Sequence, residues 1–493
     1  MGVNKEFFKK KYLCKNWNRT KIIATVGPAS DSPEMITRLI EAGVDVFRLN
    51  FSHGTLLEHK RRIEKIQRIS LKLNWPIALI QDLPGPKVRV GKLKEKVVTL
   101  KEGRTLCLSA AAPNLSNGIK GNKTVIPVTD SSFLTVLDKG NYVYLNDGLI
   151  KLRVLREGKE GVICLIIHGG ELRSGKGINF PGVDHPGINF NARDREYFSF
   201  GLDLGVDFAA LSFIKTAEDI LKVRKFIKKK NKQVKLIAKI EKREALENLN
   251  GIIDASDAVM IARGDLGIEV PLEKVALVQK DIIYRCNKAG KPVITATQML
   301  ESMVNNPSPT RAEVTDIANA ILDGTDAVML SEETAIGSYP QKAVQIMAKI
   351  AVETEKALSS KKILEMRPFL GRKSSITEAV SHAACLVASD LKVAAIITPT
   401  TSGSTARMVS RYRPQAPIIA ITPEVNAWKE LQLSWGIFPL KITRAKNIDD
   451  TLDKARVMAE KTGLVKKGDK VVITAGAPVG VTGTTNLLEV REI

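Results

Sequence analysis

The chain has 493 residues, room for about three domains of ordinary size. A hydrophobic fraction of 44% and a charged fraction of 26% are those of a globular protein, and no apolar run approaches the ~20 residues that span a bilayer, so no membrane partner is expected. The net charge of +22 admits an anionic partner, but its densest runs, at 9–11 and 222–232, lack interleaved aromatics and any nucleic-acid motif, so they read as solvated faces and no nucleic-acid partner is expected.

The first 20 residues are basic without a continuous apolar core, which argues against a secretory signal, and Glu6 breaks the acylation pattern that Gly2 begins. Residues 21–27 read as a strand. Ser32, Pro33 and Glu34 then open a helix to residue 42. A strand at 44–52, a helix at 56–73 and a strand at 77–83 continue the alternation, which predicts a parallel sheet. From 88 to 184 the pattern changes to short β-rich runs (97–100, 124–128, 142–145, 149–154, 162–167) between Gly, Asn and Asp turns, a small all-β insertion. Strands at 208–213, 234–241, 258–264, 292–299 and 327–333 bring the βα units to eight, the number of a (β/α)8 barrel. A charged segment near 361–373 reads as a linker. A last α/β series follows, with strands at 393–400, 418–422 and 470–475. The domains expected are thus a barrel (1–87 and 185–358), an inserted β-barrel lid (88–184) and a C-terminal α/β domain (359–493). The five cysteines, Cys14, Cys107, Cys164, Cys286 and Cys385, form no CxxC pair and suit a reducing, cytoplasmic setting.

Interior barrel strands should be apolar throughout, yet polar residues recur at their C-terminal ends, the rim where barrel active sites are built. Arg48, Asn50 and Ser52 share one face of the second strand, and Asp82 ends the third. Lys239 and Glu241 share a face of the fifth, Asp265 follows the sixth, Thr297 lies on the seventh, and Ser331 and Glu333 on the eighth. Two carboxylates, Glu241 and Asp265, on neighbouring strands favour a cation between them; with no Cys or His nearby, Mg2+ (or Mn2+) is the expected ion. Lys239, Arg48 and Arg89 add positive charge suited to a substrate bearing phosphate and carboxylate groups. No Gly-Lys is followed by Ser or Thr, so a nucleotide would bind without a Walker A loop.

These residues lie in stretches that resemble the pyruvate kinase family: TKIIATVGPAS (20–30), FRLNFSHG (47–54), KGINFPG (176–182), KIEKREAL (239–246), ARGDLGIEV (262–270), PVITATQMLESM (292–303), PTRAEVTDIANAILDGTDAVMLSEETA (309–335) and TTSGSTARMVSRYRP (400–414). The resemblance implies transfer of the phosphoryl group of phosphoenolpyruvate to ADP, giving ATP and, after protonation of the enolate, pyruvate. It implies Lys239 as stabiliser of the phosphoryl group and enolate, Glu241 and Asp265 as ligands of the divalent ion, and Arg48 on the phosphoryl group. The backbone of Arg263, Gly264 and Asp265 would hold the substrate carboxylate, with Thr297 beside it. Asn50, His53, Arg89 and Lys176 match nucleotide-side residues; Ser331 and Glu333 match a pair in the water network that protonates the enolate. Asn50, Ser52 and Asp82 match monovalent-cation ligands.

Here the chain departs from the family's usual Asp-Thr-Lys-Gly-Pro-Glu: Leu83 replaces the threonine and Lys87 the glutamate. An ammonium from Lys87 in place of K+ is expected, and activity without K+. Glu332 stands where the family usually has Gly. The loop Thr400, Thr401, Ser402, Gly403, Ser404, Thr405 resembles the family's effector-phosphate loop, implying a phosphorylated small-molecule effector, although a simply capped helix explains the same residues. The resemblance also implies a homotetramer. Two readings compete: a Mg2+-dependent barrel lyase or aldolase acting on a pyruvate-like acid, which the nucleotide-side residues oppose, and a basic nucleic-acid-binding protein, which the intact rim opposes.

Overall fold

A computed structural model describes residues 17–110, 119–120, 123–158, 161–183, 190–358, 375–445, 448–476 and 485–493. The expected linker at 361–373, the basic run at 9–11, Cys14 and the junction at 184–185 lie outside them. The other four cysteines are buried. Among the described residues no helix is long and apolar enough to cross a membrane.

Eight parallel strands close into a barrel: β1 (Lys21–Thr25), β2 (Val44–Asn50), β3 (Ala78–Asp82), β4 (Phe208–Leu211), β5 (Lys235–Ile240), β6 (Ala258–Ala262), β7 (Val293–Ala296) and β8 (Ala327–Leu330), each paired with its neighbours in sequence and β8 with β1. Period two explains how one apolar run serves two cores. Ile23, Val46, Ile80, Ala210, Ile237 and Met260 fill the barrel interior. Ile22, Ala24, Phe47 and Leu79 face outward to the helices. The helix Pro33–Ala42 starts where Ser32 accepts a hydrogen bond from the Met35 amide and stops at Gly43, whose φ of 133° no side chain adopts easily.

The insertion between β3 and β4 has a core of its own, including Leu106, Leu108, Ile126, Phe133, Val143 and Leu152. Its main sheet is mixed: the hairpin Ile150–Gly158/Gly161–His168 is antiparallel, whereas Thr105–Ala110 and Lys123–Val128 run parallel. The turn into Ile150 uses Asn146, Asp147 and Gly148, all at positive φ.

The C-terminal sheet has five strands, in the order Ile437–Lys441, Ile418–Thr422, Ala395–Pro399, Lys470–Ala475 and Leu487–Glu492. The two outer ones were not foreseen. Pro439 reads as a strand breaker, and it is tolerated because its strand is an edge.

This domain sits against the N-terminal ends of the barrel strands. Leu433 joins the interior barrel cluster from below. Arg413, buried, pairs with Asp326 at 2.9 Å and donates to the carbonyl of Gly324 at 2.6 Å and to Asn287 Oδ1 at 2.9 Å. Asp326 also accepts from the Trp435 amide at 3.2 Å. Lys21 donates to the Ile437 carbonyl at 2.8 Å, and Gln432 to that of Pro76 at 2.7 Å. Asp207, ahead of β4, accepts from the Leu79 amide at 2.8 Å and faces Lys429 at 3.5 Å.

Candidate active site

At the C-terminal ends of the strands, cations and carboxylates alternate in a connected set. Arg48 on β2 donates from Nε to Asp82 Oδ2 at 2.7 Å and from Nη1 to Thr25 Oγ1 at 3.0 Å. Lys239 Nζ lies 2.8 Å from Glu241 Oε1, 3.2 Å from Asp82 Oδ1 and 2.8 Å from Ser212 Oγ. Burial alone would depress this ammonium, but Asp82 and Glu241 hold it well above its ordinary value. Burial likewise opposes ionisation of Asp82, yet Lys239 and Arg48 keep its carboxyl below the usual range. Asp82 is thus already matched by two cations.

Glu241 is almost wholly buried, and its carboxyl is pushed up by burial and, despite Lys239, by the charge of Asp265. Its second oxygen accepts from the Phe213 amide at 2.7 Å, at a residue held at φ 57°. Asp265 Oδ1 accepts from Lys87 Nζ at 2.9 Å and Asn179 Nδ2 at 3.3 Å; burial raises its carboxyl, but Lys87 brings it below the ordinary value. The mutual repulsion of Glu241 and Asp265, and the ammonium drawn onto Asp265, mark a place that calls for positive charge. Hard oxygen donors in that setting fit a divalent cation. No cage of three or more His, Cys, Asp or Glu groups exists among the described residues, so such an ion would take few protein ligands and fill its shell with water and substrate.

Gly264 N donates to Thr297 Oγ1 at 2.9 Å, and Thr297 and Gln298 hold φ of 67° and 56°, strained values for side-chain-bearing residues at a site. The side chain of Arg263 turns away from this point: it is buried, pairs with Asp316 at 2.6 Å and donates to the Thr297 carbonyl at 2.6 Å, fixing the turn that presents Thr297. Glu333 is buried and accepts from the amides of Ser331 at 2.6 Å and Leu300 at 3.0 Å; burial pushes its carboxyl up. Glu332 is exposed.

On the side facing the insertion, Asn50 Oδ1 accepts from the Ser52 amide at 3.1 Å, and Leu83 is buried. The imidazole of His53 is lowered by burial and by Arg89 and Arg48, so it is neutral at neutral pH. Arg89 donates to the Gly175 carbonyl at 2.9 Å, and Lys176 faces Asp147 at 4.0 Å. The Lys87 side chain packs on the backbone of Gly177, where a Cβ would meet Lys87 Cε at 2.9 Å. A cleft of about 730 Å³ separates the insertion from the barrel, lined by Tyr142, Tyr144, Pro181, Gly264 and Gln298 among others.

Two rim residues were missed by sequence reasoning, Thr25 on β1 and Ser212 after β4. The signal that singled out the other strands, a polar residue at the C-terminal end, was present in both. Asn179 and Asp316 had no such signal, being partners across domain or helix boundaries. Lys87 reaches Asp265, whereas Asp82, in the expected monovalent-cation set, is held by Arg48 and Lys239. Far from this rim, the loop at 400–405 closes on itself: Gly403 N donates to Thr400 Oγ1 at 2.9 Å, Thr405 and Thr485 hydroxyls lie 3.0 Å apart, and Arg407 donates to the Ser402 carbonyl at 3.0 Å. Thr401 and Ser404 remain partly exposed on it.

Comparison with known proteins agrees with this architecture. Residues 17–344 match the family model described as pyruvate kinase, barrel domain, and 378–491 that described as pyruvate kinase, alpha/beta domain. The chain is 44% identical over 478 residues to a pyruvate kinase of Staphylococcus saprophyticus, covering 96% of this chain and 80% of the relative. It is 44% identical over 477 residues to one of Staphylococcus aureus, with the same coverages.

Proposed function

The chain belongs to the pyruvate kinase family, and from that premise we propose that its barrel rim transfers the phosphoryl group of phosphoenolpyruvate to ADP, yielding ATP and pyruvate, by the following division of labour. The observation that carries the assignment of roles is the half-buried Lys239, held charged between Asp82 and Glu241 and aimed by Ser212.

Arg48, oriented by Asp82 and Thr25, binds the phosphoryl oxygens. The backbone of Gly264 and Asp265, beside Thr297, receives the substrate carboxylate. The Arg263–Asp316 pair positions that turn. A β-phosphate oxygen of ADP attacks phosphorus, the P–O bond to the substrate breaks, and the electron pair stays on the enolate oxygen. Lys239 stabilises the charge that develops on the phosphoryl group and then on the enolate. The methylene carbon then takes a proton through the hydroxyl and water network about Ser331, with Glu333 fixing that segment by its two backbone bonds. A divalent ion of the kind the family uses, Mg2+ or Mn2+, would be held by Glu241 and Asp265 and would supply Lewis-acid stabilisation of the same charge.

Asn50, His53, Arg89 and Lys176 form the nucleotide side. The inserted domain, 88–184, acts as a lid that excludes water during transfer. The barrel spans 1–87 and 185–358, and the C-terminal domain 359–493. The loop at 400–405 takes a phosphorylated effector, the protein is cytoplasmic, and it assembles as a homotetramer. The lyase reading finds no favouring feature in the rim.

K+ is not required: Asp82 already has two cations, Leu83 offers no side-chain oxygen, and Lys87 adds an ammonium beside Asp265. The test is pyruvate formation from phosphoenolpyruvate and ADP with Mg2+ in K+-free buffer, then with K+. Equal rates are expected. Activity only with K+ removes the Lys87 argument and leaves the enzyme; no activity from folded protein removes the division of labour.

A further inference from the structure

The insertion is joined to the barrel by a neck of two chain passages that pair with each other. Val90 N donates to the Lys176 carbonyl at 2.8 Å and Ile178 N to that of Val88 at 3.0 Å, and Arg89 is bridged to Gly177 in antiparallel register. Two residues nearer the barrel, that register sets Lys87 opposite Asn179 on one face of the ribbon. Gly177 shares the face, and Lys87 Cε lies over it. Both side chains then leave the neck for the same atom of the barrel. Lys87 Nζ donates to Asp265 Oδ1 at 2.9 Å and Asn179 Nδ2 to the same oxygen at 3.3 Å, so the other carboxylate oxygen can serve an ion.

The two donors would respond differently to a divalent cation. Lys87 carries charge of the same sign and competes with it, on a flexible arm that is still partly exposed. Asn179 is neutral and keeps its bond as the ion arrives. It is also the more fixed, being 3% exposed on a strand paired with Tyr144. The other half of its amide is unspent: Oδ1 is buried and accepts no hydrogen bond from any described residue. Buried polar atoms ordinarily find a partner. A residue that only shaped the neck would spend both polar atoms on nearby backbone. Asn179 spends one on a carboxylate 86 residues away and leaves the other for a donor that is not protein. A water ligand of a divalent ion is such a donor.

We propose that Asn179 is a positioning residue for the divalent ion: its Nδ2–H holds Asp265 Oδ1, its own Oδ1 accepts from a water in the ion's shell, and the two bonds tie the ion to the neck of the insertion. This role rests on Glu241 and Asp265 being the ion's protein ligands. Lys87 and Asn179 share one oxygen yet act on the ion with opposite sign, the lysine against its binding and the asparagine for it.

The test is titration of the full chain with Mn2+ alone, free ion being read by electron paramagnetic resonance. Asn179→Leu weakens binding about tenfold or more, the reverse of Lys87→Met. In steady-state assays the Mn2+ needed for half-maximal rate rises with it, while kcat at saturating Mn2+ is largely kept. A misshapen neck would do the opposite, lowering kcat and leaving the ion's affinity as it was. Asn179→Ser, smaller and too short to reach Asp265, gives the same shift if the neck does not accommodate leucine. Asp265→Asn is the control: Mn2+ binding unchanged in that variant removes the ligand reading and the role of Asn179 with it. Binding lost in Asp265→Asn but unchanged in both Asn179 variants overturns the role of Asn179 alone, as does tighter binding in Asn179→Leu.

Discussion

The two ends of the barrel use the same residue types differently. At the floor, Arg413 is enclosed by Asp326, Asn287 and a carbonyl, and Asp326 also holds the Trp435 amide. Both charges of this pair have fixed protein partners across the domain boundary. At the rim, the cations and carboxylates pair chiefly with one another, Lys239 between Asp82 and Glu241, Lys87 on Asp265. Glu241 and Asp265 still repel. The floor is a closed polar network that joins two bodies, and the rim is an open one whose remaining valence belongs to substrate and ion. A buried pair stabilises poorly against an apolar alternative but is costly to break on one side, which suits a joint.

That contrast is sharpest when one cation is removed from each end. Lys239→Met should lower kcat by about 10³-fold with the fold intact, as judged by circular dichroism and steady-state kinetics. Loss of folding together with activity would make Lys239 structural. Arg413→Ala should instead cost about 3–5 kcal/mol of stability, because it leaves Asp326 buried and unmatched. Urea unfolding would measure it, and a kinetic defect without destabilisation would erase the distinction.

Asp207 at the floor tests the same contrast through pH. Burial, only partly offset by Lys429, raises its carboxyl from 3.8 to about 6. The folded chain therefore keeps a proton that the unfolded chain has lost. The resulting penalty is absent below about pH 4, grows between about pH 4 and 6, and reaches about 3 kcal/mol above that window. Asp207→Asn should remove this slope, becoming more stable relative to the parent as pH rises. Identical pH profiles would refute it. The smallest effect belongs to the rim. Lys87→Met frees Asp265 from a partly exposed ion pair and should tighten Mn2+ binding about fivefold in the absence of substrate, read by electron paramagnetic resonance. Unchanged affinity would mean that the lysine does not compete with the ion.

Much of this was legible in the sequence, for reasons that differ between the ends. Eight apolar runs, six of them read with polar C-terminal residues, announce a barrel and its rim, because strand periodicity places Arg48, Lys239 and Thr297 without knowledge of packing. The floor was not legible. Arg413, Asp326 and Asn287 are far apart in the chain, and nothing local in any of them signals a buried joint. The edge strand Ile437–Lys441 was hidden by Pro439, whose cost depends on having a neighbour on one side only. Lys87 was legible as an unusual cation, but its partner was not, since Asp265 lies 178 residues further along the chain.

Leu433 sets a clock on all this. It lies in the cluster that fills the barrel interior, about 100 residues after β8 ends. On a ribosome adding about 5–20 residues per second, the barrel's last strand emerges about 5–20 s before the side chain that seals its floor. For that interval the newborn barrel has an apolar opening below, and the C-terminal domain is the stopper that arrives last.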